Sequence, residues 1–447
     1  MFIPNSTRKD EMLKQMNLSS VDELFEDIPK KIRCKGLNLA KGQSQLEVEA
    51  HLKSLAKKNK SCDEMLCFLG GGIKPHYVPA AVKALVSRSE FYTAYTPYQP
   101  EVSQGFLQAM FEYQSLICAL TGMDVSNASL YDWETAIGEA ALMCCRATKK
   151  SVFLVPESMS RQKKQILDNY TKGSGIKIVS IPFDPKKGRV NLSDVKSLCN
   201  DEVAGVYIEN PNFFGIFEED IVKIGEFLSD KKTLFAVGVD PISLGVVKNP
   251  GQYGADIVIG EGRALGGEMD FGGSSLGFFA CRRKYLRQLP GRIIGLTTDS
   301  NNKRAFCMSM QTREQHIRRG RATSNICTNQ GLCALTACIH LSWLGSSGLE
   351  NLAKVNYEAA HKASKMLSEI EGCSLVFSGE HFNEFVLKTP DAEKIHANLL
   401  KKNIHGGLML SSCHSNLKDC MLFGVTEMHS NAQIERLVSA IREVVES

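Results

Sequence analysis

No apolar run in this chain approaches the roughly 18 residues that a membrane span needs. Net charge is almost absent: 53 Lys and Arg stand against 49 Asp and Glu, leaving +4. The densest basic stretch, 316–321, is short and has no aromatics between its charges, so a nucleic-acid surface is not expected. None of the 15 cysteines forms a C-x-x-C pair, and close Cys/His pairs are missing, which argues against a structural zinc site. The cysteine count is odd, and Cys118, Cys144, Cys145, Cys333 and Cys338 sit in apolar runs. Buried free thiols in a reducing cytoplasm are the expectation. Residues 1–14 are polar, so no signal peptide is expected. No internal repeat and no low-complexity segment is visible.

What is present is an ordinary globular composition, 43% hydrophobic and 23% charged over 447 residues, enough for a large core and a smaller second domain. Residues 1–70 are polar, with helical stretches at 21–27, between Ser20 and Pro29, and at 43–58. This segment reads as an arm around a larger body or a partner. Residues 70–105 are too rich in Gly and Pro for regular structure and too rich in Tyr for a disordered linker. The spacing of Val102, Phe106, Met110, Tyr113 and Ile117 predicts a helix over 101–121, stopped by Gly122, and Asp132 is a fitting N-cap for a helix to 147.

From 150 onward, apolar runs at 152–155, 176–181, 203–208, 233–239, 256–259 and 276–280 alternate with helical stretches to 170 and at 192–199 and 219–228. Continuous apolar runs separated by helices predict an α/β fold with a mostly parallel sheet buried on both faces. A helix from about 342 toward 371, strands at 385–387 and 421–423, and helices at 391–402 and 431–445 predict a small C-terminal α+β domain. The expected division is a helical segment at 1–70, a large domain at 71–340 and a small domain at 341–447.

Parallel sheets place ligands at the carboxyl ends of their strands. There the sequence has Asn210-Pro211-Asn212, Asp240-Pro241 and Gly260-Glu261-Gly262. Asp240 either serves a ligand or is an ordinary polar strand end. Gly260, Gly262 and Gly266 miss the dinucleotide-loop spacing, and no clear helix follows them. No lysine lies between Lys248 and Lys284, and Lys284 falls in a basic turn expected at the surface. Position 263, just past a strand end, is Arg. Burial can free a lysine amine to condense with an aldehyde; a guanidinium, with a pKa above ~12, stays protonated and cannot. Tyr92, Tyr95 and Tyr98, with Gln99, Glu101 and Ser103 beside a helix N-terminus, could orient a small polar substrate; a packed surface loop is the alternative.

The run Tyr95-Thr96-Pro97-Tyr98-Gln99-Pro100-Glu101-Val102-Ser103-Gln104-Gly105 resembles a signature of the glycine decarboxylase P-protein family of the glycine cleavage system. The resemblance continues through Asn127-Ala128-Ser129, Asp132 and Thr135, Phe271-Gly272-Gly273, Gln311 to Arg319, Ala322 to Gln330, and Val425-Thr426-Glu427. It spans about residues 5–445. The chain departs from the family at Arg263-Ala264, where Gln-Pro is usual, at Ser274-Ser275, where Pro-Tyr is usual, and at Gly320, which replaces an acid.

The resemblance implies a fold-type-I PLP-dependent transferase-like fold, PLP being pyridoxal phosphate. Asp240 takes the place that pairs with the cofactor's ring nitrogen, and Arg263 stands near that of the Schiff-base lysine. By its length the chain resembles the N-terminal half of one-chain relatives, the first subunit of a split enzyme. PLP is then carried by a second subunit, in an α2β2 assembly. Glycine is decarboxylated there, and the aminomethyl group passes to the lipoyl arm of the carrier H-protein, with a functional link to the T- and L-proteins. Tyr95, Tyr98, Gln99, Glu101 and Ser103 are the residues expected nearest glycine and lipoyl; Arg313, His316, Thr323 and Asn325 are the secondary set. Arg313 and His316 read equally well as a hydrogen-bond network that holds subunits together. Two competing classes stay open: a stand-alone PLP enzyme of the desulfurase or aminotransferase kind, which requires a lysine at a strand end, and a purely structural protein on a PLP scaffold.

Overall fold

The computed structural model describes residues 6–34, 36–92 and 95–446. They fall into two compact units, Met1–Lys60 and Ser61–Ser447. The first unit carries helices at Lys9–Gln15 and Gln45–Ala56 and a 3-10 turn at Val21–Phe25. Ser44 starts the second helix as a capping box: its amide donates to the Glu47 carboxylate at 2.7 Å, and the Glu47 amide donates to the Ser44 hydroxyl at 3.3 Å. No residue of that helix is buried, whereas Leu13 of the first helix is.

The second unit is built on a seven-stranded sheet. Its strands are β1 (Val125–Ser126), β2 (Val152–Pro156), β3 (Lys177–Ile181), β4 (Val203–Glu209), β5 (Leu234–Val239), β6 (Ile257–Glu261) and β7 (Gly277–Cys281). They lie in the order β1-β7-β6-β5-β4-β2-β3. The pairings among β2 to β6 are parallel, and β7 runs antiparallel to both β6 and β1. Every residue of β4 and β5 is buried, as continuous apolar strands covered on two faces should be.

Helices α1 (Gln104–Thr121), α2 (Trp133–Thr148), α3 (Arg161–Lys172), α4 (Leu192–Leu198) and α5 (Ile221–Ser229) supply those covers. One core layer joins Leu107, Met110, Tyr113 and Ile117 of α1 to Val206, Val237 and Val258; the opposite layer joins Ile137, Ala140 and Met143 of α2 to Phe153, Tyr207 and Ile259. Gly122 ends α1 in the left-handed region at φ 70°, where a side chain would also strike Asn249.

After β7 the chain forms a hairpin, β8 (Ile293–Thr298) with β9 (Arg304–Ser309), and then α6 (Gly331–Ser368). By length and composition α6 could cross a membrane, which the sequence reading does not anticipate. Instead it lays Ala334, Leu335, Ala337 and Leu341 into the core, and Gly345 interrupts it at φ 63° and ψ −176°. Beyond it a four-stranded antiparallel sheet runs β10 (Ser374–Leu375), β11 (Glu384–Lys388), β13 (Cys420–Gly424), β12 (Leu408–Met409), covered by α7 (Ala392–Lys401) and α8 (Asn431–Val445).

Local expectations fail at three places. The helix expected from about 342 begins at Gly331. The helix expected from 101 starts at Gln104, because Pro100–Val102 is a separate 3-10 turn and Ser103 is non-helical at φ −131°. Val102 is therefore exposed, not on the apolar stripe. The β8–β9 hairpin has no counterpart in the sequence reading. Its outer residues, Leu296 to Thr298, face water, so no buried run announces it.

Candidate functional site

Two clusters of polar side chains stand out, one at the carboxyl ends of the central strands and one on the Tyr-rich segment.

The strand-end cluster lines a cavity of about 150 Å³ reached by Lys74, Trp133, Lys163, Asp240, Arg263 and Glu384. Asp240 follows β5 directly. Its Oδ1 accepts from the Ile242 amide at 2.9 Å, and its Oδ2 lies 3.6 Å from Lys74 Nζ. Lys74 is buried and also meets Glu384 Oε2 at 3.0 Å. The other Glu384 oxygen accepts from the Gly71 amide at 2.6 Å. Burial pulls the Lys74 pKa down, but the two carboxylates outweigh it and hold the ammonium above its ordinary value. Nothing in the sequence singles out Lys74, since a lysine in a Gly-Pro loop carries no sign of burial.

Beside it, Lys163 Nζ on α3 bonds Glu209 Oε1 at 2.9 Å and sits 3.2 Å from the centroid of the Trp133 ring. Trp133 Nε1 donates to the Tyr207 hydroxyl at 2.8 Å, which donates to Glu209 at 3.0 Å. Gly238 makes room for both rings, because a Cβ there would run into Tyr207 and Trp133.

At the N-terminus of α2, Asp132 Oδ1 accepts from the Thr135 amide at 2.6 Å. Glu134 lines the cavity two residues from that cap. Glu261, at the end of β6, is pushed up to about 7 by burial, although the amides of Leu276 (2.6 Å) and Arg263 (3.0 Å) donate to it. The Arg263 side chain is buried; Nη1 reaches the Glu268 carbonyl at 3.4 Å, and Nε has no partner. Lys284 points out to water beside Asp256 at 3.1 Å, on the other side of β7 from any strand-end role.

PLP needs a base that can condense with its aldehyde, an anion seat and an acceptor for its ring nitrogen. Here position 263 past the strand end is a guanidinium, the cleft's two lysines are tied up by Glu384 and Glu209, the helix N-terminus already holds one carboxylate with a second beside it, and the acceptor already faces an ammonium. The residues of this cleft do not fit the cofactor.

The second cluster gathers around Arg292, which is buried and which the sequence reading misses. Its Nη1 donates to Thr96 Oγ1 (3.2 Å) and Asn329 Oδ1 (3.3 Å), and its Nη2 to the Tyr98 hydroxyl (3.2 Å). Nε has no partner, and no carboxylate pairs with it among the described residues. Asn329 Nδ2 in turn donates to Ala128 O and Ser129 Oγ, both at 3.0 Å, and Ala128 N donates to the Arg292 carbonyl at 2.8 Å. Motifs at 95–105 and 322–330 thus meet on one guanidinium, and the motif at 127–129 holds Asn329 and the Arg292 carbonyl.

Of the expected site residues, Tyr98 is half-exposed over Arg292 and makes an edge contact with His316, ring centroids 6.1 Å apart. Tyr95 is 87% exposed, and Gln99 and Glu101 are also exposed. Ser103 is buried. His316 Nδ1 lies 3.5 Å from Glu314 Oε2. Arg313 does not pair with Glu314; its guanidinium donates to the carbonyls of Leu289, Gly291 (3.0 Å) and Met310 (3.3 Å), so it shapes the segment that presents Arg292. Thr323 donates its amide to Arg313 O at 3.1 Å, and Asn325 is exposed near Gln315. Ser324, not singled out in the sequence, donates to Glu139 Oε1 on α2 at 2.6 Å.

A third motif, Val425-Thr426-Glu427, has a structural task. Glu427 accepts from the Tyr77 amide (2.7 Å) and Asn356 Nδ2 (2.8 Å) and lies 3.1 Å from His76 Nδ1. Burial pushes its carboxyl up, but these partners win and hold it at about 2.

Comparison with known proteins gives this geometry a family. The chain is 48% identical, over 99% of its length and 98% of the relative's, to a Thermococcus kodakarensis protein named "probable glycine dehydrogenase (decarboxylating) subunit 1". A crystal structure of glycine decarboxylase (P-protein) of the glycine cleavage system, in inhibitor-bound form, is 38% identical and superposes with a TM-score of 0.91 over 99% of this chain and 100% of that one. The sphingosine-1-phosphate lyase of Burkholderia pseudomallei, 14% identical with a TM-score of 0.68 over 93% of this chain and 94% of that one, shares the fold alone. The architecture is that of fold-type-I PLP-dependent enzymes. The family profile described as glycine cleavage system P-protein matches residues 1–441, and the chain belongs to that family.

Proposed function

We propose that this chain is the subunit of a two-subunit glycine decarboxylase, or glycine dehydrogenase (aminomethyl-transferring), that does not carry PLP. Glycine gives up its carboxylate as carbon dioxide at the cofactor of the second subunit, and the aminomethyl group passes to the lipoyl arm of H-protein. The bound cofactor supplies the electron sink. The observation that carries this reading is the buried Arg263 past the end of β6, with Asp240 already paired to Lys74. A chain so equipped contributes walls, not the electrophile.

The wall is the Tyr95–Ser103 segment. Arg292 can only donate, so the Tyr98 oxygen accepts from it and keeps its own proton for a group outside this chain. Tyr95, Gln99 and Glu101 stand exposed beside it, as residues that complete a site across an interface would. Arg313 and Thr323 hold the loop beneath, Asn325 stands exposed near Gln315, and His316 flanks Tyr98. The division at 70/71 and 340/341, the α2β2 assembly, the link to the T- and L-proteins and a cytoplasmic location belong to the same reading.

The test is direct. The purified chain with PLP and borohydride acquires no covalent cofactor, while mixing with the second subunit yields exchange of the glycine carboxylate with bicarbonate. Tyr98→Phe and Glu101→Ala lower that exchange about tenfold or more, as lost positioning does. Cofactor reduced onto this chain, with turnover in isolation, favours the stand-alone enzyme; unchanged exchange in both variants removes the wall from the site.

A further inference from the structure

We propose that the strand-end cleft is filled by the chain's own ammonium groups, and that Lys74 fastens the two sheets to each other in the place a bound ligand would take. In open α/β sheets this crevice is where ligands sit. Here three features that would receive one are already engaged. The Asp240 carboxylate faces Lys74 Nζ at 3.6 Å. The face of Trp133, the flat surface of the cleft, carries Lys163 Nζ at 3.2 Å from the ring centroid. The N-terminus of α2, an anion seat by its geometry, is capped by Asp132 with Glu134 lining the cavity beside it. The space left, about 150 Å³, is below the ~300 Å³ at which small-molecule pockets begin.

Lys74 also joins parts far apart in the chain. Asp240 ends β5 of the seven-stranded sheet, and Glu384 begins β11 of the four-stranded one. One ammonium lies 3.6 Å from the first and 3.0 Å from the second. Removing it strands two carboxylates where little water reaches them, a larger loss than the pair itself contributes. These contacts lie within this chain, whichever subunit carries the cofactor.

The test is chemical rescue. In the full-length chain, alone and with its second subunit, Lys74→Ala is melted with and without propylammonium, tetramethylammonium or potassium chloride at equal ionic strength. The expected result is a melting point about 5 °C below the parent, restored by at least half with saturating propylammonium and not by the other two salts. Wild type and Lys74→Met, whose side chain fills the space, show no selective response. The triple variant Lys74→Met, Asp240→Asn, Glu384→Gln, which removes both charges with the lysine, melts near wild type.

Lys74→Ala that is insoluble unless refolded with propylammonium supports the latch, whereas insolubility in every salt overturns it. An unshifted melting point, rescue by all three salts alike, or a triple variant as weak as Lys74→Ala also overturns it. PLP added to wild type gives no saturable cofactor absorbance. If it does, both the filled cleft and the cofactor-free reading fall; failed rescue alone removes only the latch.

Discussion

Two buried cations, Lys74 and Arg292, are handled in opposite ways. Lys74 has two carboxylates, each fixed by a backbone amide of its own. Arg292 has none among the described residues; it meets a threonine, a tyrosine and an asparagine oxygen, and its Nε meets nothing. A neutralised cation closes a region. A cation held only by neutral oxygens keeps its field, and the half-exposed Tyr98 hydroxyl carries that field to the surface. Charge balance at these two residues therefore sets the Lys74 cluster apart from the Arg292 cluster, which under the proposed function meets another surface.

The largest effect on stability should come from the finished side. Lys74→Ala is expected to lose about 3–5 kcal/mol of unfolding free energy in urea, as when one partner of a buried ion pair is deleted. Arg292→Met strands only neutral groups and should lose about 1–3 kcal/mol; if it costs as much as Lys74→Ala, the contrast between the two clusters is broken. In the two-subunit enzyme the order inverts, and Arg292→Met lowers glycine–bicarbonate exchange about tenfold or more while Lys74→Met spares most of it.

Next comes acid. Glu427 is held at about 2 against an ordinary 4.5. A depressed carboxylate stabilises the fold fully above pH 4.5, and that stability is lost as the pH falls from 4.5 toward 2, a total of about 3 kcal/mol. Glu427→Gln should lower stability at pH 7 and flatten the acid limb, which urea melts at pH 7, 4 and 3 would measure; an unchanged limb removes Glu427 as its source. The smallest effect belongs to Phe271, which is 99% exposed on a turn with positive φ. Phe271→Ser should change the isolated chain by under ~0.5 kcal/mol, and any loss should appear only as weaker association with the second subunit.

Much of this was legible in the sequence. Apolar runs mark the strands of a covered sheet, antiparallel β7 and half-exposed β3 included, so β2 to β7 fall within a residue or two of the runs read in the sequence. Asp132 as N-cap and Gly122 as terminator are local signals, and local geometry carries them. The two central cations were not legible. Nothing near Lys74 or Arg292 in sequence marks them as buried, because their partners lie far away: Glu384 is 310 residues from Lys74, and Tyr98 is 194 from Arg292. Arg313 was legible as important but not as to purpose, since three of its acceptors are backbone carbonyls that any residue type would provide.

The crowding at Gly238 bears on how such a cleft could ever be reopened. Tyr207, Trp133 and Glu209 are joined in a chain of short hydrogen bonds that ends on Lys163, while Lys74 balances two acids a strand away. A lysine in place of Arg263 leaves a third cation in that arrangement, and deleting Lys74 first leaves acids without a counter-charge. Emptying the cleft by single substitutions therefore passes through weakened intermediates, and its balanced charges behave as an evolutionary ratchet.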